Sequence, residues 1–327
     1  MKAAAGGDAR VLTFYKGWDA IGVHEVHVDE GWRSTYVKLS EPADDLTELG
    51  PRRWAVAHGE SGRVVLLDGD DRARTTIAQF DPAPLQVDCA DLNSDGHIDI
   101  IVASDGTRPR LHLLHGRPGG FAPPELVPLD PRGRTAPSLL LVDIDREGHV
   151  DVVVGLSTGA RQAPIPDHLR IFRNAAHGGL VDEWRAQVQS PRQLDAADID
   201  GDGLPDVLAT GPAGAWLLLS SGFGWLESPE KLVGGTVTGG ALRDVNRDGH
   251  LDIVLLRADS RRIEVRPGIG AGRFGTRQHY GVGAGPIALA IVERPEETLL
   301  VSANATDQSF TTAKVAAART APRRNDT

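Results

Sequence analysis

Asp198-Ile199-Asp200-Gly201-Asp202-Gly203-Leu204-Pro205-Asp206 spells D-x-D-x-D-G-x-x-D, and the chain repeats the pattern three more times. Asp91-Leu92-Asn93-Ser94-Asp95-Gly96-His97-Ile98-Asp99 is the first copy and Asp143-Ile144-Asp145-Arg146-Glu147-Gly148-His149-Val150-Asp151 the second. Asp244-Val245-Asn246-Arg247-Asp248-Gly249-His250-Leu251-Asp252 is the fourth. Oxygen side chains at positions 1, 3 and 5 can meet on one hard cation when the chain curls tightly between them. Calcium suits such a loop, because it accepts about six to eight oxygens at roughly 2.3–2.6 Å in a forgiving geometry. Glycine at position 6 enters positive φ without a Cβ clash. Position 7 (His97, His149, Leu204, His250) would offer its backbone carbonyl, which leaves the side chain free to vary. Asp at position 9 would close the cage.

An EF-hand begins the same way but needs a bidentate Glu at position 12, on a helix. Position 12 is here Val102, Val154, Ala209 and Leu255, inside apolar runs such as Ile100-Ile101-Val102-Ala103. Such β-branched runs read as strands buried on both faces. The pattern is therefore a metal loop joining two strands. Turn chemistry alone would explain a single Asp-Asn-Gly cluster. Four copies with one spacing, each followed by a strand, favour the metal. The second copy matches least well, since Glu147 replaces the shorter Asp at position 5.

The copies start at Asp91, Asp143, Asp198 and Asp244, intervals of 52, 55 and 46 residues. A period near 50 is that of propeller blades. Within one period the strand signals run Asp252-Ile253-Val254-Leu255-Leu256, then Arg262-Ile263-Glu264-Val265, then Thr276-Arg277-Gln278-His279-Tyr280. The strand before the next loop makes four, and four-stranded units repeated radially make a β-propeller. Metal-free units flank the four. Arg53-Trp54-Ala55-Val56-Ala57 and Gly62-Arg63-Val64-Val65-Leu66-Leu67 read as the middle strands of an earlier blade. Ile287-Ala288-Leu289-Ala290-Ile291-Val292 and Thr298-Leu299-Leu300-Val301 bracket Glu293-Arg294-Pro295-Glu296-Glu297, where the ligand spacing is lost. The expected architecture is all-β, one propeller over 8–316, with units 8–45, 46–85, 86–137, 138–193, 194–236, 237–285 and 286–316. That makes seven blades, or six if the termini share one. The tail 317–327 is polar and basic and is expected to be disordered.

With 38 Gly and 21 Pro, the composition fits a turn-rich β chain. Of the net charge of −10, much belongs to the loops, which hold three, four, four and three carboxylates. Four bound Ca²⁺ would leave about −2. Nothing forms the basic stripe that nucleic acid requires, and no run approaches the roughly eighteen apolar residues of a membrane span. Cys89 is the single cysteine, so metal rather than a disulfide is the available staple. The affinities of short loops suit extracellular calcium, so an extracellular or periplasmic setting is expected. Met1-Lys2-Ala3-Ala4-Ala5-Gly6-Gly7 lacks the apolar core of a secretory signal. Either a signal has been removed, which is the expectation, or the protein is cytosolic.

These loops, the aliphatic strands after them and hairpins such as Gly270-Ala271-Gly272-Arg273-Phe274-Gly275 resemble the FG-GAP/VCBS family. That family comprises the calcium-binding propeller repeats of integrin α-subunit heads and of many bacterial secreted proteins. The resemblance spans roughly 10–315 and implies structural calcium at the twenty loop positions named above. It implies a fold rather than an activity, since such propellers serve as adhesion heads, lectins and accessory domains of carbohydrate-active enzymes.

Other motifs carry less. Residues 270–275 satisfy G-x-G-x-x-G, but no helix follows, so a hairpin turn is the better reading. His58-Gly59-Glu60-Ser61-Gly62 is not G-x-S-x-G. No H-x-x-x-H pair supports a transition metal. Asn304-Ala305-Thr306 is a glycosylation sequon, relevant only in a eukaryotic secretory setting. Trp18, Trp32, Trp54, Trp184, Trp216 and Trp225 would be sugar-stacking platforms if exposed on a rim, though blade-to-blade packing is the commoner fate of tryptophan. The leading expectation is a calcium-stabilised binding or adhesion module for a carbohydrate or protein ligand. A polysaccharide lyase or hydrolase on a propeller scaffold, and a non-catalytic scaffold in a larger assembly, are the alternatives.

Overall fold

The computed structural model describes residues 2–4, 9–14, 20–27, 31–50, 53–68, 73–104, 109–129, 138–157, 167–174, 179–222, 224–294 and 297–317. Side chains are described from residue 37 on, except 73 and 128. Trp18 and the side chain of Trp32 therefore lie outside the described residues, as does the expected tail beyond 317.

The described chain is all β, built of antiparallel sheets that follow one another along the sequence. Sheet 1 contains Lys2–Ala4, Ala9–Phe14, Ala20–His27 and Gly31–Lys38. Sheet 2 contains Asp45–Gly50, Arg53–His58, Arg63–Asp68 and Ala73–Gln79. Sheet 3 contains Pro84–Ala90, Asp99–Ser104, Arg110–Leu114 and Glu125–Pro128, with a small hairpin of Gly116–Arg117 and Gly120–Phe121. Sheet 4 contains Ser138–Val142, Asp151–Leu156, His168–Asn174 and Leu180–Gln187. Gln193–Ala197, Asp206–Gly211, Gly214–Leu218 and Glu230–Gly234 form sheet 5. Val237–Arg243, Asp252–Arg257, Arg262–Arg266 and Gln278–Gly281 form sheet 6. Sheet 7 has three strands, Pro286–Glu293, Thr298–Asn304 and Ser309–Val315. The strand Lys2–Ala4 starts ahead of residue 8, where the sequence expectation began the first unit; three residues of Lys-Ala-Ala carry no alternation to read.

The apolar runs explain the stacking. Every residue of Asp99–Ser104, Asp151–Leu156, Asp206–Gly211 and Asp252–Arg257 is buried, so these second strands are covered on both faces. Side chains alternate across a strand. In sheet 4, Val152 and Val154 pack with Ile101, Ala103 and Leu111 of sheet 3, whereas Val153 packs with Val207, Ala209 and Trp216 of sheet 5. The same two-sided packing joins sheets 2 and 3, 5 and 6, and 6 and 7. Each such aliphatic side chain contributes roughly 1.5–3 kcal/mol. Toward the fourth strands burial gives way, and Leu180–Gln187 is mostly exposed.

First strands of successive sheets, from sheet 2 to sheet 7, lie against one another. In sheets 3, 4 and 6 an edge N–H is satisfied by a side chain of the preceding sheet. Val87 N–H donates to Asp45 (3.0 Å), Leu139 N–H to Gln86 (2.7 Å) and Leu242 N–H to Asp195 (2.8 Å). Lys2–Ala4 and Ala9–Phe14 of sheet 1 lie against Pro286–Glu293 of sheet 7, bringing the two ends of the series together. No helix among the described residues is long and apolar enough to cross a membrane.

Candidate metal centres

Each acidic nonapeptide joins the first and second strands of sheets 3, 4, 5 and 6. The same internal bonds fold all four. Position 1 accepts the N–H of the position 6 glycine at 2.9 Å in every copy: Asp91 from Gly96, Asp143 from Gly148, Asp198 from Gly203 and Asp244 from Gly249. Those glycines have φ between +84° and +95°, the left-handed conformation expected of them. Position 3 accepts the position 5 N–H: Asn93 from Asp95 (3.1 Å), Asp145 from Glu147 (3.2 Å), Asp200 from Asp202 (3.0 Å) and Asn246 from Asp248 (2.9 Å). Position 5 in turn accepts the position 7 N–H in three copies: Asp95 from His97, Asp202 from Leu204 and Asp248 from His250. In the second copy Glu147 is drawn instead to Arg173, whose Nη2 donates to it at 2.8 Å.

Position 9 does more than the sequence suggested. Asp99, Asp151, Asp206 and Asp252 are fully buried. Each accepts the position 2 N–H on one oxygen: from Leu92 (2.9 Å), Ile144 (3.0 Å), Ile199 (2.8 Å) and Val245 (2.9 Å). The other oxygen accepts an N–H just past the third strand or at its end: Gly116 (2.7 Å), Asn174 (2.8 Å), Ser220 (2.7 Å) and Gly268 (2.8 Å). This carboxylate therefore ties the loop to the end of the third strand of its own sheet. Two further features escaped the sequence reading. Position 2 is a buried aliphatic in every copy (Leu92, Ile144, Ile199, Val245), and that regularity was there to be seen. Position 4 is left-handed in every copy (Ser94, Arg146, Gly201, Arg247), a conformation that only Gly201 advertises.

The structure draws three carboxylates together in two of the loops. Asp143, Asp145 and Asp151 have oxygens within 4.8 Å of one another, and so do Asp198, Asp200 and Asp206. Glu147 and Asp202 stand outside those groups. In the first and fourth loops position 3 is an amide, and Asn93 and Asn246 each donate from Nδ2 to the position 5 carboxylate at 3.0 Å. The electrostatics fit a cation. Burial, and then the neighbouring carboxylates, push Asp151 (beside Asp145 and Asp143) and Asp206 (beside Asp200 and Asp202) up to about 6. Asp252, beside Asp248, is likewise pushed to about 6 by burial. Asp143 Oδ1 is buried with no hydrogen-bond partner. Hard oxygens crowded in this way are the donor set that Ca²⁺ accepts.

The neighbouring sheet covers each of the two carboxylate groups. At Gly272 of sheet 6 a Cβ would stand 3.2 Å from Asp200 Cβ, and at Gly224 of sheet 5 one would stand 3.6 Å from Asp145 Oδ2. The tryptophans divide. Trp54 and Trp216 are buried between sheets, and Lys231 lies over the Trp216 ring at 5.2 Å. Trp225, beside Gly224, is 51% exposed.

The fold and loops define the class of protein: a β-propeller of four-stranded antiparallel sheets. An Agrocybe aegerita lectin, solved for its specific recognition of non-reducing terminal N-acetylglucosamine, matches with a TM-score of 0.55 at 16% identity, over 94% of this chain and 90% of the lectin. The WD40 β-propeller domain of Doa1 matches with a TM-score of 0.56 at 9% identity, over 94% of this chain and 88% of that domain. More particularly, the chain carries FG-GAP-like repeats, matched at residues 91–154 and 198–255, which contain all four loops. Human phosphatidylinositol-glycan-specific phospholipase D is 29% identical over 148 residues, 38% of this chain and 18% of that enzyme. The rat enzyme is 28% identical over the same shares. The chain thus matches less than a fifth of those relatives' length.

Proposed function

We infer that this chain is a calcium-stabilised, seven-bladed propeller that serves as a binding module for a carbohydrate or protein ligand. The carrying observation is the fourfold loop: positions 1, 3 and 9 accept the same backbone N–H groups in sheets 3 to 6, and in sheets 4 and 5 three carboxylates converge on one point. The ligand sets are Asp91, Asn93, Asp95, the His97 carbonyl and Asp99 in the first loop, and Asp198, Asp200, Asp202, the Leu204 carbonyl and Asp206 in the third. In the fourth loop they are Asp244, Asn246, Asp248, the His250 carbonyl and Asp252. In the second loop Asp143, Asp145, Glu147, the His149 carbonyl and Asp151 form the corresponding set.

The role of the cation is structural. It neutralises carboxylates that otherwise repel, and it braces the loop against the next sheet. Binding to the folded form alone stabilises it by about 2.7 kcal/mol per site at a hundredfold excess over Kd. Short loops of this kind suit extracellular calcium levels, which favours a module that works outside the cell or in a periplasm. The phospholipase activity of the relatives is not carried over, because the match covers too little of them. Trp225 is the aromatic surface that favours a sugar, since an exposed indole can stack on a pyranose face.

Thermal melts in calcium and in EGTA, with a glycan array probed in the calcium state, test this reading. A calcium-dependent rise in melting temperature and a glycan signal lost in Trp225→Ala are expected. A rise with no glycan signal would select the protein ligand, and identical melts would end the calcium reading.

A further inference from the structure

Sheet 4 differs from its neighbours at one register position. The pairs Ile100↔Leu114, Val152↔Phe172, Val207↔Leu218 and Ile253↔Arg266 align the third strands of sheets 3 to 6. Two residues further on, Gly116, Asn174, Ser220 and Gly268 each give an N–H to the position 9 carboxylate, which verifies the alignment. The residue between is His115, Arg173, Leu219 or Pro267. Only sheet 4 places a guanidinium there.

That guanidinium enters the second loop. Arg173 Nε stands 2.8 Å from Asp145 Oδ2 at position 3, and Nη2 stands 2.8 Å from Glu147 Oε2 at position 5. Nη1 lies 3.6 Å from Glu183 Oε2 on the adjacent fourth strand. Gly224 of sheet 5 closes over the group, where a Cβ would stand 3.6 Å from Arg173 Cδ. The longer Glu at position 5 now has a reason, because its extra methylene carries the carboxylate out to the guanidinium. The other loops have no such partner. His115 approaches Asp99 (3.6 Å) and Glu125 (3.7 Å) rather than positions 3 and 5. Arg247 turns away to the carbonyls of Arg294 and Glu297 in sheet 7. Among the described residues, no Lys or Arg pairs with positions 1, 3 or 5 of the first, third or fourth loop.

We propose that Arg173 is a built-in competitor for the cation in the second loop, making it the weakest of the four calcium sites and the one best held together without metal. By carboxylate count the ranking would be the reverse, since the second and third loops share the same converging Asp triad. A cation can enter the second loop only as Asp145 and Glu147 release the guanidinium, for which Glu183 offers an alternative seat. The unpartnered Asp143 Oδ1 is what a cation gains there, so the site is weakened rather than abolished. This rests on the calcium reading of the loops.

Calcium titration of the whole chain and of Arg173→Gln tests it. The variant should either bind one more ion at a given free calcium or tighten the weakest step by about tenfold. Its melting temperature should fall more in EGTA than in calcium; a purely packing role would lower both alike. Should the variant fold only with calcium, native mass spectrometry during stepwise chelation gives the same comparison, and the variant should hold its last-added ion to lower free calcium. An isotherm unchanged or weakened relative to the parent overturns the proposal while leaving the calcium reading intact. No bound ion in either protein overturns the calcium reading and this proposal with it.

Discussion

Asp206→Asn separates the two roles assigned to position 9. The buried carboxylate accepts N–H bonds from Ile199 (2.8 Å) and Ser220 (2.7 Å). Without metal, its rise from 3.8 to about 6 means that ionised Asp206 destabilises the fold at pH 7 by roughly 3 kcal/mol. Asparagine removes that penalty. It also leaves one buried N–H facing an amide donor, which costs roughly 1–3 kcal/mol. The two effects oppose, so in EGTA the variant should melt within about 2 kcal/mol of the parent. If calcium binds this loop as proposed, the variant also lacks a ligand there, and loses up to about 2.7 kcal/mol of linkage at a hundredfold excess over Kd. At roughly 2 °C per kcal/mol for a domain of this size, the calcium-induced shift should shrink by about 5 °C. Differential scanning calorimetry in both buffers measures it. A variant that melts far below the parent in EGTA would show that the carboxylate is chiefly a backbone tie. An undiminished calcium shift would show that no cation sits there.

Two further outcomes follow from the charges. Asp151, Asp206 and Asp252 hold their protons to about pH 6 in the metal-free fold, whereas the unfolded chain releases them near 3.8. Their contribution to metal-free stability is therefore fully present below about pH 4 and is lost as pH rises through about 6. On the proposed calcium assignment a bound ion replaces the proton, so the gap between calcium and EGTA melts should widen from pH 5 to pH 7; a constant gap would contradict the assignment. Glu264, 1% exposed, is bonded to Arg266 (2.8 Å) and Arg257 (3.3 Å), which in turn hold the Leu232 and Gly234 carbonyls of sheet 5. Glu264→Gln leaves Arg266 without its buried anion, while Arg257 keeps Asp259 (2.9 Å), and should destabilise by about 3 kcal/mol in urea unfolding. A loss below 1 kcal/mol would show that the cluster is as weak as a surface pair.

What the sequence disclosed was what repeats. Four copies of one nine-residue pattern, each before an aliphatic strand, carried both the β-propeller and the loop positions. Residues whose meaning depends on register were hidden. Arg173 is 28 residues from Asp145 and belongs to no motif; only the pairing of Phe172 with Val152 sets it beside the loop. The second role of Asp99, Asp151, Asp206 and Asp252 was hidden for the same reason, since their acceptors' partners are backbone N–H groups with no sequence signature. Lys2–Ala4 was missed because a short strand without alternation leaves no trace. Tryptophan position was undecidable from composition: Trp54 and Trp216 went into the stacking of the sheets and Trp225 to the surface.

The most direct test is a crystal grown in calcium and measured at long wavelength, where anomalous scattering locates the ion. The account predicts peaks inside the loops at 91–99, 198–206 and 244–252, each among its position 1, 3, 5 and 9 side chains, with the weakest or no peak at 143–151. Loops free of anomalous signal at millimolar calcium would contradict it.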